Sequence, residues 1–238
     1  MVAFGNDCRA RSLRAAAPAC ALTMPIDRSG VPFVFGAAAA GALLSWLDVP
    51  WMPGAFFWLL AAVFAYFFRD PNRPEPADVG LDAVLAPADG RILHAGAADA
   101  GIAPAGGWQQ VSIFLSPLDV HVNRSPVGGR VLEVTYRPGR FLPAYDRRSG
   151  VENERSEIRV EHEGQTVVFR QVVGVLARRV VCRLAPGMTV ARGQRFGVMK
   201  FGSRMDVFLP QSADIAVTVG QRVRGGETVV ARLASGGD

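Results

Sequence analysis

MKFGSRMDVFLP, Met199–Pro210, reads as a strand that stops and restarts: an apolar run ending at Phe201, an interruption at Gly202-Ser203-Arg204, then Met205 to Leu209. Glycine accepts strained backbone and close approach, and the serine beside it carries a hydroxyl that a neighbouring base can make nucleophilic. A β-bulge or hairpin corner explains a Gly-Ser pair equally well on local grounds. The sequence on either side decides how the stretch is read.

Outward from it, short runs rich in Val, Ile, Phe and Leu alternate with Gly and Pro turns. They include RILHAG, QQVSIFLS, GRVLEVTY, SEIRVEHEGQTVVFRQVVG, RRVVCRL, DIAVTVG and ETVVARL. This rhythm predicts a mainly β domain over 81–238, a β-sandwich or barrel-like fold. APADGRILHAG and VTVGQRVRGGETVVARL resemble each other, and the second has the strand-turn-strand cadence of lipoyl and biotinyl hairpins.

The amino-terminal third differs. Residues 1–30 are basic, Ala-rich and without a signal-peptide core, which predicts a loose segment. VPFVFGAAAAGALLSWL (Val31–Leu47) and GAFFWLLAAVFAYFF (Gly54–Phe68) carry no charge, and Trp46, Trp51, Trp58 and Tyr66 stand near their ends. Residues 31–68 therefore predict a membrane-anchoring helical hairpin, each arm slightly short of the ~20 residues that span a bilayer. Arg28 and Arg69 flank its outer ends, which places both on the cytoplasmic face of the cell (inner) membrane. Residues 69–80, RDPNRPEPADVG, are too rich in proline for helix and predict a stiff linker.

Of 238 residues half are hydrophobic and a fifth charged, enough for a packed core. The net charge is +5 and Lys200 is the only lysine. Arginines spread along the chain, with no basic stripe interleaved by aromatics, favour anionic membrane lipid over nucleic acid as partner. Cys8, Cys20 and Cys182 show no C-x-x-C spacing, and His94, His121 and His162 no ligand spacing, so neither a disulfide framework nor a metal site is indicated.

Asp89 in the PADG turn, His121 in SPLDVHVNRSP and Ser203 are the candidates for an acid–base–nucleophile set, provided three distant turns converge. Taken singly, each is an ordinary turn or strand residue.

Six pieces in order strengthen them: FRDPNRP (Phe68–Pro74), PADGRI (Pro87–Ile92), FLSPLDVHVNRSP (Phe114–Pro126), NERSE (Asn153–Glu157), FRQVVGVLARR (Phe169–Arg179) and GVMKFGSRMDVFLP (Gly197–Pro210). With these the chain resembles the phosphatidylserine decarboxylases of the short bacterial and archaeal type, over roughly residues 67–210. The resemblance implies a proenzyme that cuts itself between Gly202 and Ser203 into a β chain (1–202) and an α chain (203–238), a heterodimer that can assemble further. Attack of Ser203 Oγ on the Gly202 carbonyl gives an ester, and β-elimination followed by hydrolysis turns residue 203 into a pyruvoyl cofactor. It implies phosphatidylserine as substrate, condensed through its amine with that group and decarboxylated to phosphatidylethanolamine, with His121 as proton donor and Asp89 orienting it. The chain departs from the long-type pattern at Arg124, where a second histidine is expected, and at Arg204, where a small hydroxyl residue is. Two other readings remain: a membrane-tethered biotin- or lipoyl-like carrier modified at Lys200, and an anchored β domain with a binding role alone.

Overall fold

The computed structural model describes residues 26–47, 49–175, 180–199 and 203–234. Two helices, α1 (Val31–Trp46) and α2 (Trp51–Phe67), precede a β domain. Its strands are β1 (Ala83–Leu85), β2 (Gly90–Ala97), β3 (Trp108–Leu115), β4 (Val122–Arg124) and β5 (Gly129–Arg137). After a single helical turn, α3 (Ser149–Glu152), come β6 (Arg155–His162), β7 (Gln165–Val173), β8 (Val180–Cys182), β9 (Thr189–Val190) and β10 (Arg195–Met199). The carboxy-terminal segment adds β11 (Ser203–Pro210), β12 (Asp214–Ile215), β13 (Arg222–Val223) and β14 (Val229–Arg232).

The mainly β expectation holds, in the form of three antiparallel sheets. One has eight strands in the order β13-β2-β3-β11-β7-β6-β5-β9; the others are β1-β14-β12 and β4-β10-β8. Apolar side chains from all three, among them Val84, Val111, Phe169, Phe196, Met205 and Val230, share one buried cluster. The β6–β7 hairpin shows how local chemistry sets register. His162 pairs with Gln165, leaving Glu163 and Gly164 as a two-residue loop, both at positive φ. That is the loop geometry whose twist matches the strands.

β11 lies between β3 and β7, opposed by β3 along its whole length and by β7 from Ser203 to Phe208. Met205, Val207 and Leu209 enter the core, so the alternation of a strand turns Arg204 and Asp206 to the opposite face. There the Arg204 guanidinium donates to Asp206 Oδ1 at 2.6 Å and to Ser112 Oγ at 3.1 Å. This network accounts for charged residues in a strand buried on both sides. The two look-alike segments also meet, β2 pairing with β13.

The helical hairpin is present, but its membrane-spanning reading is not supported. α1 has 16 residues and α2 has 17. At ~1.5 Å per residue neither reaches across a hydrocarbon core of ~30 Å. Among the described residues no helix is long and apolar enough to cross a membrane. The arms pack where Gly41 faces the Trp58 ring and Gly54 faces Ser45, glycines that let the helices approach closely.

At its base the hairpin docks on the β domain. Phe67 and Phe68 are buried with Val120, Val122 and Val198. The Asp27 carboxylate receives two hydrogen bonds from Arg183, at 2.8 and 2.9 Å. Residues 69–80 form neither helix nor strand, as their prolines require, yet they do not act as a spacer. Asp70 is buried against Arg124 and Arg195, and Arg73 against Asp89.

Candidate active site

Ser203 is the first residue of β11, set opposite Leu115 and Val173 and fully buried. Its Oγ has no hydrogen-bond partner among the described residues. A buried hydroxyl without a partner forfeits ~1–3 kcal/mol of solvation, a cost a purely structural serine at a sheet corner has no reason to carry.

His121 immediately precedes β4. The β4–β10 ladder pairs Val122 with Val198, and the Met199 amide donates to the His121 carbonyl at 3.3 Å. The imidazole is thereby fixed where β10 ends, four positions before Ser203. Its Nδ1 lies 2.8 Å from the Asp119 carbonyl oxygen, which can only accept. The ring proton therefore belongs on Nδ1, and Nε2 carries the lone pair. The ring lies against Phe67, centroids 4.2 Å apart. Burial is the main cause that lowers the His121 pKa from 6.5 to about 4; the Asp119 carbonyl and charge oppose this, and the Arg69 charge adds to it. At neutral pH the side chain is an uncharged base.

Asp89 stands elsewhere than expected. Both its carboxylate oxygens are held by Arg73, with Nη2 2.8 Å from Oδ2, and Oδ1 also accepts the Gly225 amide at 2.8 Å. It acts on His121 through its charge, which raises the imidazole's affinity for a proton, while Asp119 supplies the hydrogen bond that orients the ring. Asp89 thus joins the β1–β2 turn to the segment before β14.

Arg124, at the place of the second histidine, is no base. Its guanidinium donates to the Pro71 carbonyl at 2.9 Å, to Gly193 at 3.2 Å and to Asp70 at 3.3 Å. Gly202, whose carbonyl is the expected target of Ser203, lies outside the described residues, as does Lys200, the carrier candidate.

Sequence reasoning missed the work of the segment Arg69–Arg73. Arg69 donates to the Leu118 carbonyl at 2.7 Å, Asp70 gathers Arg124 and Arg195, and Arg73 clasps Asp89. Three charges within five residues were the available signal, since a plain spacer has no need of them. The loop that carries His121 is fastened to α2 and to the turn that carries Asp89 through this short stretch.

A buried serine hydroxyl without a partner among the described residues, at the head of a central strand, and a neutral, oriented imidazole where β10 ends are groups that a nucleophilic enzyme site requires. The family model for phosphatidylserine decarboxylase matches residues 60–231. A phosphatidylserine decarboxylase proenzyme of Prosthecochloris aestuarii is 48% identical over 178 residues, 74% of this chain and 80% of that protein. One of Pelodictyon phaeoclathratiforme is 50% identical over 174 residues, 73% of this chain and 81% of that protein. One of Magnetococcus marinus is 39% identical over 212 residues, covering 87% and 95%. The chain belongs to the phosphatidylserine decarboxylase family.

Proposed function

We propose that this chain is a self-cleaving proenzyme that decarboxylates phosphatidylserine to phosphatidylethanolamine, with Ser203 as the source of its pyruvoyl group. The observation that carries the reading is the Ser203 hydroxyl, buried at the start of β11 and without a partner among the described residues. Its surroundings fit that group: Leu115 and Val173 flank it, and two ladders fix residue 203 from both sides.

Self-cleavage needs a base for the Ser203 proton, and His121 is assigned that part because its ring is neutral, with Nδ1 anchored and the lone pair on Nε2. Ser203 Oγ then bonds to the Gly202 carbonyl carbon as the Gly202–Ser203 peptide C–N bond breaks, leaving an ester. β-Elimination releases Gly202 as a carboxylate, and hydrolysis of the dehydroalanine at 203 gives the pyruvoyl group and ammonia. Once formed, that group supplies a carbonyl that draws electrons from the bond to the departing carboxylate. His121 returns a proton to the carbon that the carboxylate has left. Because burial keeps the imidazole neutral in the free protein, this second role relies on the negative charge of a bound substrate to raise its proton affinity.

The hairpin is proposed as an anchor seated within the near side of the inner membrane, on the cytoplasmic face. Its tip exposes Trp46 (81%) and Trp51 (78%), with Phe35, Met52, Phe56 and Leu59 also open. Exposed apolar area on that scale marks a membrane or protein contact, and tryptophans suit the headgroup level. The cut chains are proposed to stay together as a β–α heterodimer.

The test is direct: purified protein is mixed with phosphatidylserine vesicles, and carbon dioxide and phosphatidylethanolamine are measured. Equimolar formation of both supports the proposal. No turnover by protein that has cut itself would refute the assigned substrate.

A further inference from the structure

A cavity of about 530 Å³ is walled by Arg69, Asp70, Asn72, Arg73, Asp89 and Arg224, and by Val120, which precedes His121 in the chain. Its volume falls in the ~300–1,000 Å³ range of small-molecule sites. The two carboxylates are already committed: Asp70 to Arg124 and Arg195, Asp89 to Arg73 and the Gly225 amide. Arg224, on the carboxy-terminal segment, is 76% exposed at the rim and sits 3.7 Å from Glu227.

Arg69 differs from the other cations of this wall. Among the described residues it forms no ion pair. Its guanidinium donates to the Tyr66 carbonyl at 2.8 Å and to the Leu118 carbonyl at 2.7 Å, and lies 4.0 Å over the Tyr66 ring. Two carbonyls and a ring fix its position without neutralising it, and the guanidinium has five N–H donors. A cation held in place and left without a counter-charge on a cavity wall is prepared for an anion.

The anion's chemistry follows from where the cavity lies. Arg69 follows directly on α2, whose exposed apolar side chains are the proposed membrane contact, while Val120 leads to His121. For a diacyl lipid whose acyl chains lie with the hairpin and whose amino acid is turned toward His121, this cavity lies between the two ends. The group at that point of the substrate is the phosphodiester.

Resting on the decarboxylase reading, we infer that this cavity holds the phosphodiester of the substrate headgroup and that Arg69 is the residue that contacts it. Arg69 then sets the distance between the lipid's phosphate and its reacting carbon. Arg224 closes the rim from the α-chain side.

The test uses self-cleaved protein and its Arg69→Gln and Arg69→Lys variants, with cleavage followed by intact mass. Binding of glycerophosphoserine, and of inorganic phosphate as control, is measured by calorimetry, and KM and kcat are measured on phosphatidylserine vesicles. Loss of one charge-assisted contact is expected to weaken glycerophosphoserine binding and raise KM by about tenfold in Arg69→Gln, with kcat within about twofold. Arg69→Lys keeps the charge but not the fork, and is expected to retain most of the binding. Unchanged glycerophosphoserine affinity in Arg69→Gln overturns the inference. So does an equal loss of kcat in both variants at constant KM, because it would mean that Arg69 only fastens the Leu118 loop. Wild-type protein that binds glycerophosphoserine through Arg69 yet releases no carbon dioxide would leave the subsite standing and sink the decarboxylase reading.

Discussion

At the scale of single residues, the site rests on one neutral imidazole and one unpartnered hydroxyl. Because burial holds His121 near a pKa of about 4, self-cleavage is expected to depend on the uncharged ring and to fail as pH falls through about 4, well below an ordinary histidine's 6.5. Cleavage rates followed by denaturing electrophoresis between pH 3.5 and 8 would show this, and a midpoint near 6.5 would contradict it. The same shift bears on stability. The unfolded chain takes up the proton at higher pH than the folded one, so this residue's contribution is full above about 6.5 and declines between about 6.5 and 4. The loss amounts to a few kcal/mol at about 1.4 kcal/mol per pKa unit. Asp89→Asn makes a different prediction. It removes the closer of two counter-charges and leaves Arg73 with Glu227, 3.5 Å from its Nε and more exposed, so the melting temperature should drop by a few degrees. An unchanged melting temperature would mean that the Arg73 pair contributes little. Ser203 and His121 stand in short contiguous motifs, which is what lets the sequence propose them. The partner of Asp89 is not legible, because Arg73 and Gly225 come together with it only in three dimensions.

At the scale of elements, β11 answers the question raised by its own sequence. Its pairing with β3 and β7, both in the amino-terminal chain, runs through Phe208 on one side and Pro210 on the other. Cutting the bond before residue 203 leaves those ladders in place. The two chains should therefore co-elute on native size-exclusion chromatography and part only in denaturant; separation in buffer alone would show that the cut releases the strand. The strands themselves are legible from β-branched runs between turns. Their order is not, because both partners of β11 lie far before it in the chain, and periodicity carries no record of a distant partner. The helices are legible from two uncharged stretches, but their lengths of 16 and 17 residues fall below what the span required.

At the scale of the whole molecule, the hairpin and the β domain are joined through packed residues rather than through a linker. The Phe67 ring lies against the His121 ring, and Asp27 is tied to Arg183, so the base of the hairpin packs against the candidate site. Prolines in residues 69–80 suggested separation, and only the burial of Asp70 and Arg73 shows otherwise. Removing the whole hairpin would disturb the candidate site, so the proposed anchoring is better tested at the hairpin's tip. Trp46→Glu with Trp51→Glu should abolish co-sedimentation with anionic vesicles while self-cleavage proceeds as in wild type, since both rings are exposed and remote from the docked base. Continued sedimentation of the double variant would place the membrane contact elsewhere.

The central claim is that Ser203 becomes the reactive group of an enzyme that makes its own cofactor. Intact mass spectrometry of the purified chain under denaturing conditions tests it most directly, with Ser203→Ala beside it. The account predicts two chains in the wild type, parted between Gly202 and Ser203, the shorter one lighter than its encoded segment by the mass of one ammonia. It predicts a single uncut chain in Ser203→Ala. A single unprocessed wild-type chain, or a cut at the same bond in Ser203→Ala, would contradict it.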